Sequence, residues 1–408
     1  MIQGYTSSNV HLTEGMKTVD ALERLGVGYH FREEIGMFMD LVNGTPARDT
    51  DEMASAALRF RLLRQHHYDA PCDVFESFVD KNGGFKDTLR SDVDALLAIY
   101  EAAHLSKCDE DLLSNAVVFT TSCLSAMAEG GKLPESLLKK VEHALDSPTQ
   151  RRFKRVETKL YISIYGKDED SNQDILELAK LDFHILQQMH RDEASSFSLY
   201  FREHNLGSNL GPYIRERPVE CYLWALGVFY EPQYAKARMM LAKLINLCSL
   251  FDDTIDSYAP WKSFTCLTKR SKADPLAQTN DRAVFDWIMS SPKIIKNSAI
   301  ITRLMDDIQG HEYEKDISGV STAVQCYSKE HGVTIQEAKK ALWCIVEDQW
   351  RSTNQEFLST TMIPVPLLTH VINLSRVMET MYKNTSAYTF CKGVEEHIEN
   401  VLDKCACA

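Results

Sequence analysis

The sequence predicts an all-α protein, and three observations support this prediction. The 408 residues include only 18 glycines and 12 prolines, below the average usage of about 7% and about 5%, so residues that break helices are few. Apolar residues recur at three- and four-residue spacing from the start, as at Val19, Leu22 and Leu25, which is the period of one helix face. Alternation typical of strands is not evident over any useful length.

The predicted helices follow one another along the chain. Amphipathic stretches cover 89–105, 175–190 and 336–350, each with the period of a helix that buries one face. A polar, acidic run at 166–174 separates the first of these stretches from the second and reads as a solvated linker. Because a chain of this length favours two or three domains, we expect an N-terminal helical domain at 1–170 and a C-terminal domain at 171–408.

Composition and charge exclude several classes of partner. Apolar residues make up 44% of the chain and charged residues 25%, which is ordinary for a globular protein. The net charge is −13, from 45 Lys and Arg against 58 Asp and Glu. This balance argues against nucleic acid and against an anionic membrane surface. An anionic substrate would have to be met by local arginines or by metal ions.

Cysteine usage and the ends of the chain bear on its compartment. The eleven cysteines are scattered and form no CxxC pair, so neither a zinc site nor a disulfide framework is predicted. We expect a cytoplasmic protein, because the N-terminus lacks the features of a signal or transit peptide. No apolar run approaches the roughly 18 residues of a membrane span. The last four residues, 405–408, match a prenylation pattern formally, but a frayed tail is the better interpretation.

The first candidate metal site is the acidic cluster Asp252, Asp253 and Asp256, which follows an apolar helical stretch. Carboxylates four residues apart share one helix face, about 5–6 Å apart at Cβ, so a cation is expected between Asp252 and Asp256. Hard oxygen ligands of this kind suit Mg²⁺ together with substrate phosphates. The alternative is a solvated acidic helix end.

A second cluster lies downstream on a predicted helix. Asp306 and Glu314 are eight residues apart, two helical turns, and Arg303 lies one turn before Asp306. One helix can therefore present two carboxylates and a guanidinium along one face. A surface ladder of ion pairs is the alternative interpretation.

The third element precedes both clusters. Arg215 and Arg217 come directly before Pro218, which marks a plausible helix start. Two arginines at a helix N-terminus can hold a phosphate, although a solvent-exposed turn is an open alternative. Trp224 follows in the next apolar helix, where a single tryptophan is more often a core residue.

The order of these motifs resembles the plant class I terpene synthases. The resemblance rests on RERPVECYLWALGVFYEPQYAKARMML, then LFDDTIDSY, then ITRLMDDIQGHEYEKD. Further likeness in LERLGVGYHFREEI, LRQHHYDAPCDVFESFVDKNGGFKDTL and LELAKLDFHILQQMHRDE extends it over nearly the whole chain, except 1–15 and 259–282. The resemblance implies two helical domains, with the active site in the C-terminal one.

The resemblance also implies roles for individual residues. Three Mg²⁺ ions, or Mn²⁺ in their place, would be bound by two clusters of acidic residues. The first cluster is Asp252, Asp253 and Asp256, and the second is Asp306 and Glu314. A prenyl diphosphate would be held by the arginines and the same acids: Arg215, Arg217, Arg303, Asp252, Asp256 and Asp306. Concentrated positive charge helps the diphosphate to leave. The faces of Trp224 and Tyr382 would stabilise the resulting cation.

Two substitutions depart from the family's motifs. Gly310 stands at the middle ligand position of the second metal motif, where the family has Ser or Thr, so a water would take that coordination position. Tyr382 and Tyr388 resemble the family's aromatic pair, but the expected Asp between them is absent.

The spacing between the two metal motifs also differs from that of the family. Only 54 positions separate Asp252 from Asp306, so roughly 90 residues, about six helices of ~10–14 residues with their connections, are expected to be missing around 259–282. The C-terminal α-bundle is therefore predicted to be incomplete. The chain also begins near the family's first helices, as though roughly 50–60 residues were absent there.

Two functions from different classes remain open. One is a Mg²⁺-dependent sesquiterpene synthase, a lyase that ionises farnesyl diphosphate to a carbocation. The other is a catalytically inactive remnant of such an enzyme. A prenyltransferase also uses paired aspartate-rich motifs, but the surroundings of Arg215 and Trp224 fit it poorly. We expect a monomer, with association possible through apolar surface that the missing helices leave exposed.

Overall fold

The computed structural model describes residues 9–46, 52–81, 83–168, 171–204, 211, 213–258, 282–314, 321–383 and 392–403. The first eight α-helices are α1 (Asn9–Arg24), α2 (Arg32–Gly44), α3 (Met53–Gln65), α4 (Val93–Ala103), α5 (Asp111–Glu129), α6 (Glu135–Asp146), α7 (Lys154–Tyr165) and α8 (Gln173–Glu203). The remainder are α9 (Pro218–Val228), α10 (Ala235–Tyr258), α11 (Arg282–Met289), α12 (Lys293–Glu314), α13 (Ala323–His331), α14 (Ile335–Ser359), α15 (Val365–Tyr382) and α16 (Lys392–Ile398).

The all-α prediction is confirmed. Within the ranges given above, the nearest approach to a strand is an isolated antiparallel bridge between Val79 and Phe85. The stretches 175–190 and 336–350 lie inside α8 and α14. The stretch 89–105 forms α4 together with a short 3₁₀ turn in front of it, Asp87–Ser91.

The helices bury their apolar faces in two main cores. The first core is formed by the helices α1, α2, α3, α4, α5 and α7. Its fully buried side chains include Leu25, Met39, Leu62 and Phe75. The second core is formed by α9, α10, α12, α14 and α15. In that core α12 packs against α14 and α15, and α9 packs against α10 and α15.

Helix α8 belongs to both cores. Its first half contributes Ile175 and Phe183 to the first core, and its second half contributes Ala194 and Phe197 to the second core. The acidic run at 166–174 begins directly after α7, and its last two residues start α8. The packing, however, changes from one core to the other within α8, so the division at residue 170 stays a prediction about the domains.

Polar contacts join the two halves of the chain. Arg151 donates from both terminal nitrogens to the two carboxylate oxygens of Glu347, each at 2.6 Å. The amide of Asn354 donates to the carbonyls of His104 and Ser106 at 3.1 and 2.9 Å. Because these donors and acceptors are mostly buried, the contacts fix the N-terminal helices against α14.

Helix α5 departs from the expectation that no segment is long and apolar enough to span a membrane. It has 19 residues and a mean hydropathy of 1.2, so among the helices described it alone is long and apolar enough to cross a membrane by length and composition. In the fold Leu113 and Ala116 pack into the first core, and Leu124 packs against α4 and α6.

Candidate active site

The first acidic cluster lies near the C-terminal end of α10, as the sequence predicts. The side chain of Asp252 is 64% exposed, whereas that of Asp253 is buried at 3%. The side chain of Asp256 lies outside the described residues. The two adjacent aspartates therefore have different surroundings, and Asp252 presents the more accessible carboxylate.

Buried Asp253 holds Arg215 in place. Its Oδ2 accepts the backbone N–H of Arg215 at 2.7 Å, and its Oδ1 accepts from Nε of the same residue at 2.6 Å. Nη2 of Arg215 lies 2.6 Å from Oδ1 of Asp253 and 3.3 Å from Oδ2 of Asp252. The structure thus brings together the arginine and the acidic cluster that the sequence singles out separately. The predicted role of Asp253 as a metal ligand stays a prediction, with both of its oxygens bonded to Arg215.

Arg217 lies at the start of α9. Its carbonyl accepts the N–H of Cys221 at 3.0 Å, so the predicted helix start at Pro218 is confirmed. Its guanidinium lies 3.6 Å from Oε1 of Glu220, one helical turn further on. This ion pair holds the side chain against its own helix.

The second cluster is built along α12. Nη2 of Arg303 lies 3.3 Å from Oδ2 of Asp306 and also contacts Oδ1 of Asp307. Asp307 is buried, and its Oδ2 accepts the N–H of Ala323 at 2.6 Å. Asp307 therefore anchors both Arg303 and the start of α13, a role that the sequence reasoning did not assign. Its four-residue spacing from Arg303 is the signal that could have indicated it.

The far end of α12 is fixed by a second contact. Nδ1 of His311 lies 3.0 Å from the hydroxyl of Thr322, and both residues are buried. Thr322 also caps α13 through a reciprocal capping box with Gln325. Gly310 is buried on α12, and the side chain of Glu314 lies outside the described residues. The ligand roles of Gly310 and Glu314 stay predictions.

The two predicted aromatic residues meet in the second core. The rings of Trp224 and Tyr382 make an edge-to-face contact, with centroids 6.2 Å apart and planes at 89°. Tyr382 is 4% exposed, and half-buried Trp224 packs against the same core. This contact agrees with the interpretation of Trp224 as a core residue. The predicted role of Trp224 and Tyr382 in stabilising a cation stays a prediction. Tyr388 lies outside the described residues.

The donor chemistry of the site fits Mg²⁺. Asp252 and Asp306 offer carboxylates that are exposed or partly exposed, whereas the oxygens of Asp253 and Asp307 are engaged by arginines and backbone N–H groups. Carboxylate oxygens are the ligands that Mg²⁺ takes from proteins. Among the side chains described, no group of three or more His, Cys, Asp or Glu residues converges on one point. Asp256 and Glu314 are not among those side chains.

An apolar surface runs along α10 toward the acidic cluster. Met240, Leu244, Leu247 and Phe251 are 72%, 55%, 48% and 46% exposed. Their spacing of four, three and four residues places them on one helix face. We call these four residues the α10 stripe. Residues 259–281, which follow α10 and contain the segment predicted to be shortened, lie outside the description.

Models of two protein domains match the chain. The model of the terpene synthase N-terminal domain matches residues 1–145, and the model of the terpene synthase family metal-binding domain matches residues 202–277 and 273–352. An all-helical fold whose second half carries the metal-binding domain is the architecture of the terpene synthase class of enzymes. The chain belongs to the terpene synthase family.

Curated relatives agree with this assignment. A (−)-germacrene D synthase of Vitis vinifera is 32% identical, over 91% of this chain and 82% of the relative. A sesquiterpene synthase of Toona sinensis is also 32% identical, over 95% of this chain and 86% of the relative. The Vitis alignment runs over 462 positions, although 91% of 408 residues is only about 371. About 90 positions of the relative therefore have no counterpart here, and their placement between the metal motifs stays a prediction.

Solved structures share the fold. Isoprene synthase from grey poplar (Populus x canescens) superposes with a TM-score of 0.87 at 24% identity, covering 99% of this chain and 92% of that one. A limonene synthase superposes with a TM-score of 0.90 at 22% identity, with coverage of 99% and 92%.

Proposed function

We propose that this chain is a Mg²⁺-dependent sesquiterpene synthase that ionises farnesyl diphosphate. The names of its curated relatives support a fifteen-carbon substrate, since they include germacrene D, valencene and hedycaryol synthases. The poplar isoprene synthase is described in complex with three Mg²⁺ ions and dimethylallyl-S-thiolodiphosphate, which supports Mg²⁺ as the metal. Mn²⁺ is the alternative ion.

The observation that carries the proposal is the contact between Asp252 and Arg215. The exposed carboxylate of Asp252 lies 3.3 Å from the guanidinium of Arg215, and buried Asp253 holds Arg215 through two hydrogen bonds, one from its backbone N–H and one from its Nε. A diphosphate needs this pair of features, a carboxylate to hold its metal and a fixed donor to hold its oxygens.

Two arginines and Mg²⁺ act together in the first step, the ionisation of the prenyl diphosphate. Arg215 is positioned by Asp253 and binds diphosphate oxygens as the bond to carbon breaks, while Arg303 serves the same end from α12, positioned by Asp307. Mg²⁺, when bound, neutralises the charge that develops on the leaving diphosphate. The bonding electron pair leaves with the diphosphate, and an allylic cation remains.

The α10 stripe bears on the fate of this cation. Exposed apolar residues on α10, together with about 90 positions of the Vitis relative that have no counterpart here, support a site with fewer walls. Water then adds to the cation and loses a proton, which gives a linear prenyl alcohol instead of a cyclic hydrocarbon. An inactive remnant is the second candidate, favoured by the same exposed surface.

The test is turnover of the purified chain with Mg²⁺ and either farnesyl or geranyl diphosphate, with products identified by gas chromatography and mass spectrometry. We expect slow release of diphosphate, faster with farnesyl diphosphate, and mostly linear alcohol. Asp252→Ala should lower turnover at least 100-fold with an unchanged melting temperature, because the side chain is exposed. Asp87→Ala, at a 91% exposed side chain near the start of α4, is the matched control.

Each outcome separates the candidates. No diphosphate release by a folded sample, with or without Mg²⁺, assigns the chain to the inactive remnant. Full turnover by Asp252→Ala contradicts the metal assignment. Efficient formation of a single cyclic product contradicts the argument from missing walls, and a preference for geranyl diphosphate contradicts the substrate assignment.

A further inference from the structure

A cavity of about 470 Å³ lies between the two halves of the chain. Its walls come from the α1–α2 region and α7 on one side and from α14, α15 and the end of α9 on the other. We call it the interdomain cavity. Its volume falls in the range of about 300–1,000 Å³ that is typical of small-molecule pockets. Its charged and apolar lining includes Glu23, Arg32, Lys154, Phe357, Ile372 and Arg376.

Arg376 brings a buried charge to this cavity. It is 6% exposed, and among the described residues its guanidinium donates hydrogen bonds to neutral acceptors. These acceptors are the carbonyl and side-chain oxygen of Gln150, at 2.7 and 3.1 Å, and the side-chain oxygen of Asn373 at 2.6 Å. Burial lowers the pKa of Arg376 to about 10. A guanidinium buried without a carboxylate partner is costly unless an anion joins it.

Lys154 adds a second positive charge nearby. Burial, followed by repulsion from Arg376, lowers the pKa of its ammonium group to about 8. Among the contacts of the described residues, the ammonium group of Lys154 makes neither a hydrogen bond nor an ion pair. Two cations that repel each other from opposite walls of one cavity would both be stabilised by an anion between them.

The acids of the cavity already have partners. Oε1 of Glu23 lies 2.8 Å from Nε2 of His66, and the carboxylate of Glu231 is paired with the guanidinium of Arg32. The attraction of Glu23 for Lys154 is present but secondary to burial. Three lysine and arginine side chains of the lining, Arg32, Lys154 and Arg376, therefore face two carboxylates, Glu23 and Glu231, which leaves a positive surplus.

We propose that the interdomain cavity binds a small amphipathic anion, with a phosphate or carboxylate head at Lys154 and Arg376 and an apolar body against Phe357 and Ile372. A bare phosphate would leave most of the volume unfilled, so the apolar lining selects a ligand with a hydrocarbon part. Because the walls come from both halves of the chain, bound ligand also ties these halves together and raises the melting temperature.

The test is titration calorimetry with thermal melts, in buffer that contains a metal chelator, so that binding at the proposed diphosphate site does not contribute. The probes are inorganic phosphate, isopentenyl monophosphate and hexanoate. We expect isopentenyl monophosphate or hexanoate to bind and to raise the melting temperature, with phosphate at least tenfold weaker. The stronger of the two organic anions identifies the head group.

Substitutions of Lys154 separate the effect of its charge on binding from effects on folding. Lys154→Met keeps the apolar stem and removes the charge, and should weaken binding at least tenfold. Lys154→Arg should retain binding. Lys159→Met on the same helix is the matched control and should bind as the wild type does, as should Asp252→Ala. Failure of every probe to bind the wild type, or equal binding by Lys154→Met, overturns the proposal. Equal binding of phosphate and the organic anions overturns the apolar part.

Discussion

The carboxylate of Glu157 contacts two arginines and a histidine inside the N-terminal half. Its oxygens lie 2.9 Å from Arg24, 2.7 Å from Arg152 and 2.8 Å from His143, and its side chain is 1% exposed. Burial opposes ionisation, but the attraction of Arg152 and Arg24 prevails, so the pKa of Glu157 lies well below its usual value. These side chains stabilise the fold only while the carboxylate is charged.

Glu157→Gln should therefore lower the free energy of unfolding by about 3–5 kcal/mol, because it leaves buried cations without their counter-charge. Chemical denaturation at pH 7 measures this change. Glu135→Gln, at an exposed ion pair with Lys139 on α6, is the control and should change the midpoint little. An equal effect of the two substitutions would show that the buried network contributes nothing of its own.

The same network sets an acid limit. A pKa that is lowered in the folded state gives stability that is present above the ordinary carboxyl pKa and is lost as the pH falls below about 4.5. The stability difference between wild type and Glu157→Gln should therefore shrink as the pH falls from 5 toward 3. A difference that stays constant over this interval contradicts the role given to the carboxylate charge.

The residue pattern indicates candidate site residues but not the side chains that hold them in place. Asp252 and Arg303 stand out because acids and arginines recur at helical spacing, Arg215 stands out because it precedes a helix start, and the structure places Arg215 beside Asp252. The anchoring roles of Asp253 and Asp307 depend on burial, and burial arises from contacts between distant segments such as Ala323 and α12. A linear pattern contains no such information, so these roles could not be read from it.

Among the elements, the crossing of α9 and α15 depends on a glycine. A Cβ atom at Gly227 would lie 2.2 Å from Cγ2 of Val377, and 3.5 Å from the ring of Phe153. Both neighbours are fully or almost fully buried. The absence of a side chain at Gly227 therefore sets how closely the two helices approach.

Gly227→Ala should lower the free energy of unfolding by about 1–3 kcal/mol, since overpacking outweighs the gain in helix propensity. Gly36→Ala on α2 is the matched control, because its Cβ would meet nothing within 4 Å, and should stabilise by about 0.4–1 kcal/mol. Thermal melts of both variants and of the double variant Gly227→Ala, Val377→Ala provide the measurement. A double variant no more stable than Gly227→Ala would argue against a local clash.

Helices were the most predictable level of organisation. The periods of α8 and α14 are long and regular, so their existence follows from the sequence alone. The 3₁₀ turn before α4 shortens the predicted helix because Asp92 caps a new start, its side chain accepting the N–H of Ala95 at 3.0 Å. Such competition between a cap and the preceding turn is decided by local geometry, which periodicity does not contain.

At the scale of the whole molecule, the α10 stripe is an apolar surface without a covering helix among the residues described. Contiguous exposed apolar side chains favour association in water. We expect the sedimentation coefficient to rise with protein concentration, and the double variant Leu244→Lys, Leu247→Lys to abolish this rise. Val118→Lys, at an exposed residue of α5, is the control. Concentration dependence that persists in the double variant excludes the stripe as its cause.

Helix α8 is shared by the two hydrophobic cores of the molecule. At about 1.5 Å per residue its 31 residues extend about 46 Å, and each half completes a different core. Neither core can melt without stripping apolar partners from the same helix, so the cores should lose order cooperatively. Calorimetry should then record a single endotherm whose van't Hoff and calorimetric enthalpies agree, and two resolved endotherms would show that the cores unfold separately.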